Sequence, residues 1–512
     1  AKQARQPLPF AGRSDSKSRT NYGRGHFSAV FDPTPKHTAG FDIEYTERST
    51  HMPTLSRTTL GQTQSDSRYR QHMDGNTLTA TANYIWKIDT LGSQFKLIAD
   101  YTRYTSHGDN SYHTTTSAPG TLRDSLYESS TGSVYDILTA DAGLTRKLPH
   151  GLTLRAGLRY TRNGMADKSH YAAQTQGTWL ALPEYSYDQH YTEQIGAAYA
   201  SLEYSAGRWE LSAGLRGEYT SVASQTLDRS YFGLFPNVSV SRALNALRTW
   251  LLVAQWSRNI ERPAFPALNP ARIRISDYSW QSGNPSLRPT YIHRFSLTAV
   301  WKYRYTLTVG GNLHHDLIRE IAHRDETDPD AVYIRPENHY TENHWFVAAS
   351  VPAKITRWWN LSVNAVGVMQ RIRLNSTDSP ATHYLMFADA TCSFTLPAGF
   401  FAEAAYRAQS RLYSGNSEVG PRHTLSATVK KQLFGKRLTL FCTLSNITGC
   451  DWEFASLTDG MRRTIDARQA WSGRLWKAGA AWNFRTGKKF RARTVESAAE
   501  TQRKRLVKST EQ

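Results

Sequence analysis

Two arginines, a tyrosine and a tryptophan within nine residues are the side chains of this sequence best suited to hold a ligand. Arg272, Arg274, Tyr278 and Trp280 stand in "ERPAFPALNPARIRISDYSWQSGNPSLRP", residues 261–289. A guanidinium offers planar donors to an anion, and aromatic rings offer faces for stacking and for cations. Tyr231 and Phe232, in a neighbouring segment read as a loop, extend the same chemistry. These groups bind; they do not form a reacting constellation. The plainer reading is that they stiffen a loop.

Other candidates are weaker. His314 and His315 fall in or just above a strand, and His339 and His344 flank a loop. With no carboxylate or cysteine partner at ligand spacing, they read as solvent- or lumen-facing histidines. "RDETDPDAV" at 324–332 has the acidity of a calcium loop but lacks its glycine and closing glutamate, so it reads as an acidic surface loop. No GxSxG, Walker or Rossmann pattern occurs. No catalytic residue, metal or cofactor is expected, and the chain does not read as an enzyme.

The segment that carries the candidate residues has five prolines, which give no amide hydrogen to a sheet, so it is read as a loop. It is long, since most connections in compact domains run about 4–6 residues. What it interrupts is a run of strands. In "TLTATANYIW" Leu78, Ala80, Ala82, Tyr84 and Trp86 alternate with Thr77, Thr79, Thr81 and Asn83. "LTLRAGLRYT" at 152–161, "WELSAGLRGEYT" at 209–220 and the face of Trp476, Ala478, Ala480, Trp482 and Phe484 repeat the pattern. Helical periodicity is nearly absent.

Composition narrows the class. Of 512 residues 39% are hydrophobic, mean hydropathy is −0.56, and no apolar run approaches the roughly 18 residues of a spanning helix. Aromatic content of 12%, with 27 tyrosines and 14 tryptophans, is too rich for disorder. Cys392, Cys442 and Cys450 suggest neither a disulfide framework nor a zinc site. The formal charge of +19 raises nucleic acid or anionic lipid as a partner. Because the basic residues are dispersed and no nucleic-acid signature accompanies them, nucleic acid is not expected.

One-faced strands suit either a soluble sandwich or a transmembrane barrel, and loop lengths separate the two. About nineteen strands are read, and their connections alternate between short and long. The short ones include 32–36, 147–151, 206–208, 302–304, 396–399 and 433–437. The long ones fall near 48–76, 106–132, 163–190, 222–234, 261–289, 319–342, 374–381, 411–421 and 447–469. An up-and-down barrel with short periplasmic turns and long extracellular loops explains that rhythm; a Greek-key sandwich does not. Aromatics at strand ends, such as Tyr101, Trp256, Trp301, Trp358 and Trp482, suit two interfacial girdles. Residues 261–289 thus form the fifth long extracellular loop.

At these residues the sequence resembles the outer-membrane β-barrel family of the TonB-dependent-receptor type. "SRNIERPAFPALNP" and "SGNPSLRPTYIHRFSLT" carry the more specific part, supported by residues 191–220, 235–244 and 444–452 and by the closing strand. The resemblance covers about residues 21–484. It implies an all-β fold of about 22 strands, of which some nineteen are visible, in the cell outer membrane. It further implies capture of a ligand at the loops and uptake driven by TonB through a plug domain not seen in this chain. The candidate groups could then hold an oligosaccharide, a peptide or an anionic siderophore. The alternatives are a non-transporting barrel, as adhesin or structural protein, and a soluble β-rich carbohydrate-binding or hydrolytic protein.

Three divisions are expected: an irregular segment 1–20 left from upstream barrel strands, the barrel 21–484 against outer-membrane lipid, and a basic periplasmic tail 485–512. An odd count whose first and last strands both run downward implies that strands precede this chain. The tail carries nine Lys/Arg against three Glu and reads as a solvated extension, with contact to anionic headgroups as a second option.

Overall fold

Alternating strands become a wall only when each finds a partner, and here nearly all do. The computed structural model describes residues 9–225, 227–276, 278–325, 330–449, 452–458, 461–467, 473–484 and 495–506. Twenty-three strand segments join one sheet. Phe10–Ser16 and Arg19–Thr34 lie end to end along His37–Leu60 and act as one strand. Thr178–Ala181, Ile273–Ser276 and Ser279–Gln281 are short additions in the loops. What remains is an antiparallel meander of nineteen strands that ends at Leu475–Trp482, as the alternation predicts. Among the described residues, the first and last strands of the meander share no ladder. No helix among the described residues is long and apolar enough to cross a membrane.

The two faces sort as a barrel requires. Thr79, Thr81, Asp100, Thr102, Thr139, Thr161 and Asn163 are buried on the inner side, while Leu78, Tyr84, Leu138, Leu158 and Leu215 are exposed on the outer. A soluble sandwich would reverse this. Near the short turns, outward aromatics form one belt, with Trp250 stacked on Trp301 at 5.7 Å and Trp359 on Phe394 at 6.1 Å. Exposed Trp209 and Tyr219 on the strand Trp209–Ser224 are ten residues apart. At a strand tilt near 40° that is about 25 Å of height, the thickness of an outer-membrane apolar band.

Several sequence expectations about connections are corrected, among them 222–234 and 319–342, which are largely strand. Most of residues 48–76 and 106–132 is hairpin: His37–Leu60 turns directly into Thr63–Lys87, and Gln94–Ala118 into Thr121–Lys147. Such strands of 24–27 residues rise about 60 Å, well above the bilayer. Residues 163–175 continue the strand Leu152–Thr175, pairing with Tyr187–Ala206 from Tyr187 onward. Farther on, parts of two loops make a separate four-stranded sheet from Leu412–Ser414, Ser417–Val419, Trp452–Thr458 and Met461–Ala467. The short turns are as expected. "LPHG" and "LPAG" fold alike, with His150 and Ala398 at φ 61° and 57° followed by a positive-φ glycine. A Cβ on Gly151 would stand 2.2 Å from the Ser205 carbonyl oxygen, so only glycine closes that turn.

Both ends of the chain also depart from expectation. Phe10–Ser16 and the start of Arg19–Thr34 pair with His37–Leu60, so the irregular segment is shorter than residues 1–20. The tail is not a solvated extension over its described part. Residues 495–506 lie inside the lumen, where Ala499 and Arg505 are buried. Residues 485–494 and 507–512 lie outside the described residues, as do Cys450 and residues 326–329 of the acidic loop.

Candidate ligand-binding site

The proline-rich loop folds inward and packs on the barrel's inner wall. Phe265, Leu268 and Leu287 are essentially fully buried against Tyr135, Ile137, Met165, Tyr191 and Val222. Each such side chain contributes about 1.5–3 kcal/mol of hydrophobic stabilisation. Polar ties complete the anchor: Arg229 donates to the Leu287 carbonyl at 2.7 Å and Asn284 to the Pro336 carbonyl at 3.0 Å. Both Asn-Pro pairs make the expected turns, with Asn269 Oδ1 accepting from the Ala271 amide and Asn284 Oδ1 from the Ser286 amide. Gly283 passes so close that a Cβ would sit 2.1 Å from the Asn269 oxygen. Where the prolines stop, the loop does contain strand, the small hairpin Ile273–Ser276 and Ser279–Gln281.

That hairpin carries the candidate groups. Trp280 stacks on Tyr185 with centroids 6.1 Å apart and planes 9° from parallel. Arg272 lies over Tyr185 at 5.4 Å and Trp280 at 5.9 Å, and Arg274 over Tyr127 at 5.3 Å and Trp280 at 5.4 Å. Arg272 also pairs with Asp325 at 3.3 Å. Behind them Tyr69, Tyr112 and Tyr171 form a buried cluster that Tyr127 and Tyr185 pack against. Burial pushes the Tyr112 and Tyr171 hydroxyls above their ordinary pKa range, so on these hairpins above the bilayer they stay neutral. The result, the cup, is two guanidinium groups, one of them paired with Asp325, set against an aromatic wall.

The other candidates fall elsewhere. Tyr278 is half-buried in the hairpin turn, where its carbonyl accepts from the Val332 amide at 2.9 Å, so its backbone braces the cup. Tyr231 and Phe232 are on the strand Asp228–Ala243 and not in a loop. Tyr231 faces the lumen with Arg229 at 6.0 Å from its ring. Phe232 is corrected: it pairs with Tyr219 on the outer face, 64% exposed, where lipid and not ligand meets it.

Below the cup is a charged lock that the sequence reading passed over. Arg262 donates to Glu218 at 2.6 Å and Thr220 at 2.9 Å, and lies 3.8 Å from Glu193. Arg216 holds the other Glu218 oxygen at 2.6 Å, and Arg505 of the tail pairs with Glu193. Alternation does put Glu193 and Glu218 on inward positions, which was the available signal. The histidines have a carboxylate partner after all. Glu342 accepts from His344, Arg319 and Gln370, each at 2.8 Å, while His314 donates to its carbonyl at 2.7 Å. His344, Arg319 and Gln370 share the carboxylate atom Oε1, whereas His314 bonds the backbone carbonyl. Among the described residues no group of His, Cys, Asp or Glu is arranged to hold a metal ion.

The sequence profile of the outer membrane protein beta-barrel family matches residues 86–476. The chain belongs to that family. As a family member it lies in the cell outer membrane, with its apolar face to lipid. No curated relative matches it in sequence. Among solved structures, this outer-membrane barrel is similar to the closed form of the Ferric-Catecholate import receptor Fiu from K12 E. coli. The TM-score is 0.56 at 10% identity, covering 94% of this chain and 83% of that one. FpvAI in its pyocin S2 complex gives 0.52 at 11% identity, covering 94% and 71%. The siderophore receptor PirA from Pseudomonas aeruginosa gives 0.47 at 10%, covering 93% and 81%. At these identities the likeness is one of fold. Fiu and PirA are receptors.

Proposed function

We propose that this family barrel is a receptor that takes an anionic, aromatic ligand of the siderophore type into the cup of Arg272, Arg274, Trp280, Tyr185 and Tyr127, for TonB-dependent uptake. The observation that carries the reading is the pair of guanidinium groups set against stacked aromatic faces at the extracellular mouth. A catecholate iron complex matches both features: its negative charge meets the arginines and its rings lie on Trp280 and Tyr185. A neutral ligand gains nothing from the charge of the arginines, and a purely aliphatic one gains no stacking. Membership of the family and the fold shared with import receptors support uptake as the outcome.

The test is equilibrium binding of radiolabelled ferric complexes to purified protein in detergent. Arg272→Ala with Arg274→Ala is expected to weaken a ferric tricatecholate by about 10–100-fold, the scale of one or two charge-assisted hydrogen bonds. A neutral ferric hydroxamate should bind weakly to both forms. Equal tricatecholate affinity in wild type and double variant overturns the reading.

A further inference from the structure

We infer that the inner wall carries a guanidinium-binding pocket whose resident occupant is Arg505, making residues 495–506 an internal stopper that enters the lumen from the periplasmic side. The pocket is built from Glu193, Asn163, the Pro263 carbonyl and the face of Phe265. Arg505 donates to the Pro263 carbonyl at 3.0 Å and to Glu193, and its guanidinium lies 4.3 Å from the Phe265 centroid. Gln502 tightens the arrangement, accepting from Arg505 at 2.9 Å and from Asn163 at 3.2 Å. Glu193 and Arg505 have side chains only 2% and 7% exposed. Planar donors, two oxygen acceptors of different geometry and an aromatic face are what a guanidinium needs and an ammonium uses poorly.

The rest of the segment climbs the wall toward this pocket. Val495 packs by Gly40, where an added Cβ would meet it at 3.0 Å. Glu496 pairs with Lys96, and the Ala498 amide donates to Asp100 at 2.7 Å. The turn Glu500–Arg503 and the residues after it then bring Leu506 onto the apolar cluster of the folded-in loop. Lys96 is two residues above the lower end of Gln94–Ala118, and Glu193 is thirteen above the lower end of Tyr187–Ala206. At about 2.5 Å of height per tilted strand residue, the climb is about 28 Å. From Glu496 to Arg505 the backbone reaches about 20 Å, and the long side chains of Lys96, Glu496, Arg505 and Glu193 span the remainder. Its charge fits at Arg505, which meets Glu193, while Lys504 pairs with Glu500 within the segment. None of these contacts involves the cup, so the stopper stands or falls apart from what the cup binds.

Labelling tests it on the full chain in detergent, with Cys392, Cys442 and Cys450 replaced by serine. Leu506→Cys is probed with a PEG-maleimide too bulky to enter the lumen. It should react slowly in the otherwise native background, and at least about tenfold faster when Arg505→Ala or Glu193→Gln is added. Glu203→Gln, which removes a lumen carboxylate away from the tail, should leave the rate unchanged, and heat-modifiable migration reports that each variant is folded. Fast labelling without a latch mutation shows that the tail is not seated. Slow labelling in both latch variants, or acceleration by Glu203→Gln, shows that Arg505 is not what holds it. Any of these results overturns the proposal.

Discussion

Replacing Arg262 by methionine should destabilise the barrel by about 3 kcal/mol, and the reason is the company it leaves behind. Arg262 is 8% exposed, Glu218 9% and Glu193 2%, so their ion pairs are poorly screened. At an effective dielectric near 20, charges about 4 Å apart attract by about 4 kcal/mol, most of which desolvation offsets. Removing one partner of such a buried pair typically costs about 3–5 kcal/mol because the orphaned charge keeps its desolvation penalty. Here the low end applies, since Arg216 remains on Glu218 and Arg505 on Glu193. Urea unfolding of detergent-solubilised protein, followed by heat-modifiable migration, reads the shift as about a hundredfold loss in the folding equilibrium. If the single variant loses less than about 1 kcal/mol, the lock behaves as a surface ion pair and the buried-network reasoning fails.

Two further predictions concern the frame. Gly151→Ala places a methyl against the Ser205 carbonyl in a positive-φ turn, so unfolding measured the same way should show a loss above about 1 kcal/mol, whereas Gly207→Ala, with open space around it, should lose less. Leu287→Ala empties a fully buried site in the loop anchor and should cost about 2–5 kcal/mol; a neutral result would mean the loop is not packed on the wall.

How far the sequence could be read follows from where its signals lie. Strand number and facing were legible because Leu78 to Trp86, or Trp209 to Tyr219, contrast apolar with polar every second residue. Above the bilayer that contrast ends. In "TERSTHMPTLSRTTL" both faces are polar, so no periodicity distinguishes a long hairpin from a long loop, yet pairing runs through to Leu60 and Thr63. Arg272, Arg274 and Trp280 were recognisable by residue type, clustered in one loop. Their partners Tyr127 and Tyr185 come from other hairpins, and only tertiary structure brings them together. Phe232 failed for a simple reason: its parity on the strand points it at lipid. The tail is the extreme case, since Arg505 meets Glu193 across 312 residues, and nine basic residues in a short stretch look the same whether solvated or seated.

The loop that bears the cup also supplies Pro263 and Phe265 to the tail, which raises the question of whether ligand binding could release the stopper. The magnitudes argue against it. Phe265, Leu268 and Leu287 together hold the loop's base with about 5–9 kcal/mol of gross burial. A ligand shifts a conformational equilibrium only by its differential affinity for two states, typically about 1–3 kcal/mol. Occupancy of the cup can therefore reorder the hairpin from Ile273 to Gln281 without dislodging the base beneath it. Release has to start where the segment is tied by fewer and more exposed contacts, at Val495 and Glu496 beside Lys96 near the periplasmic turns. In the proposed arrangement the stopper would answer to binding at its periplasmic end, and a ligand in the proposed cup would leave the base of the loop in place.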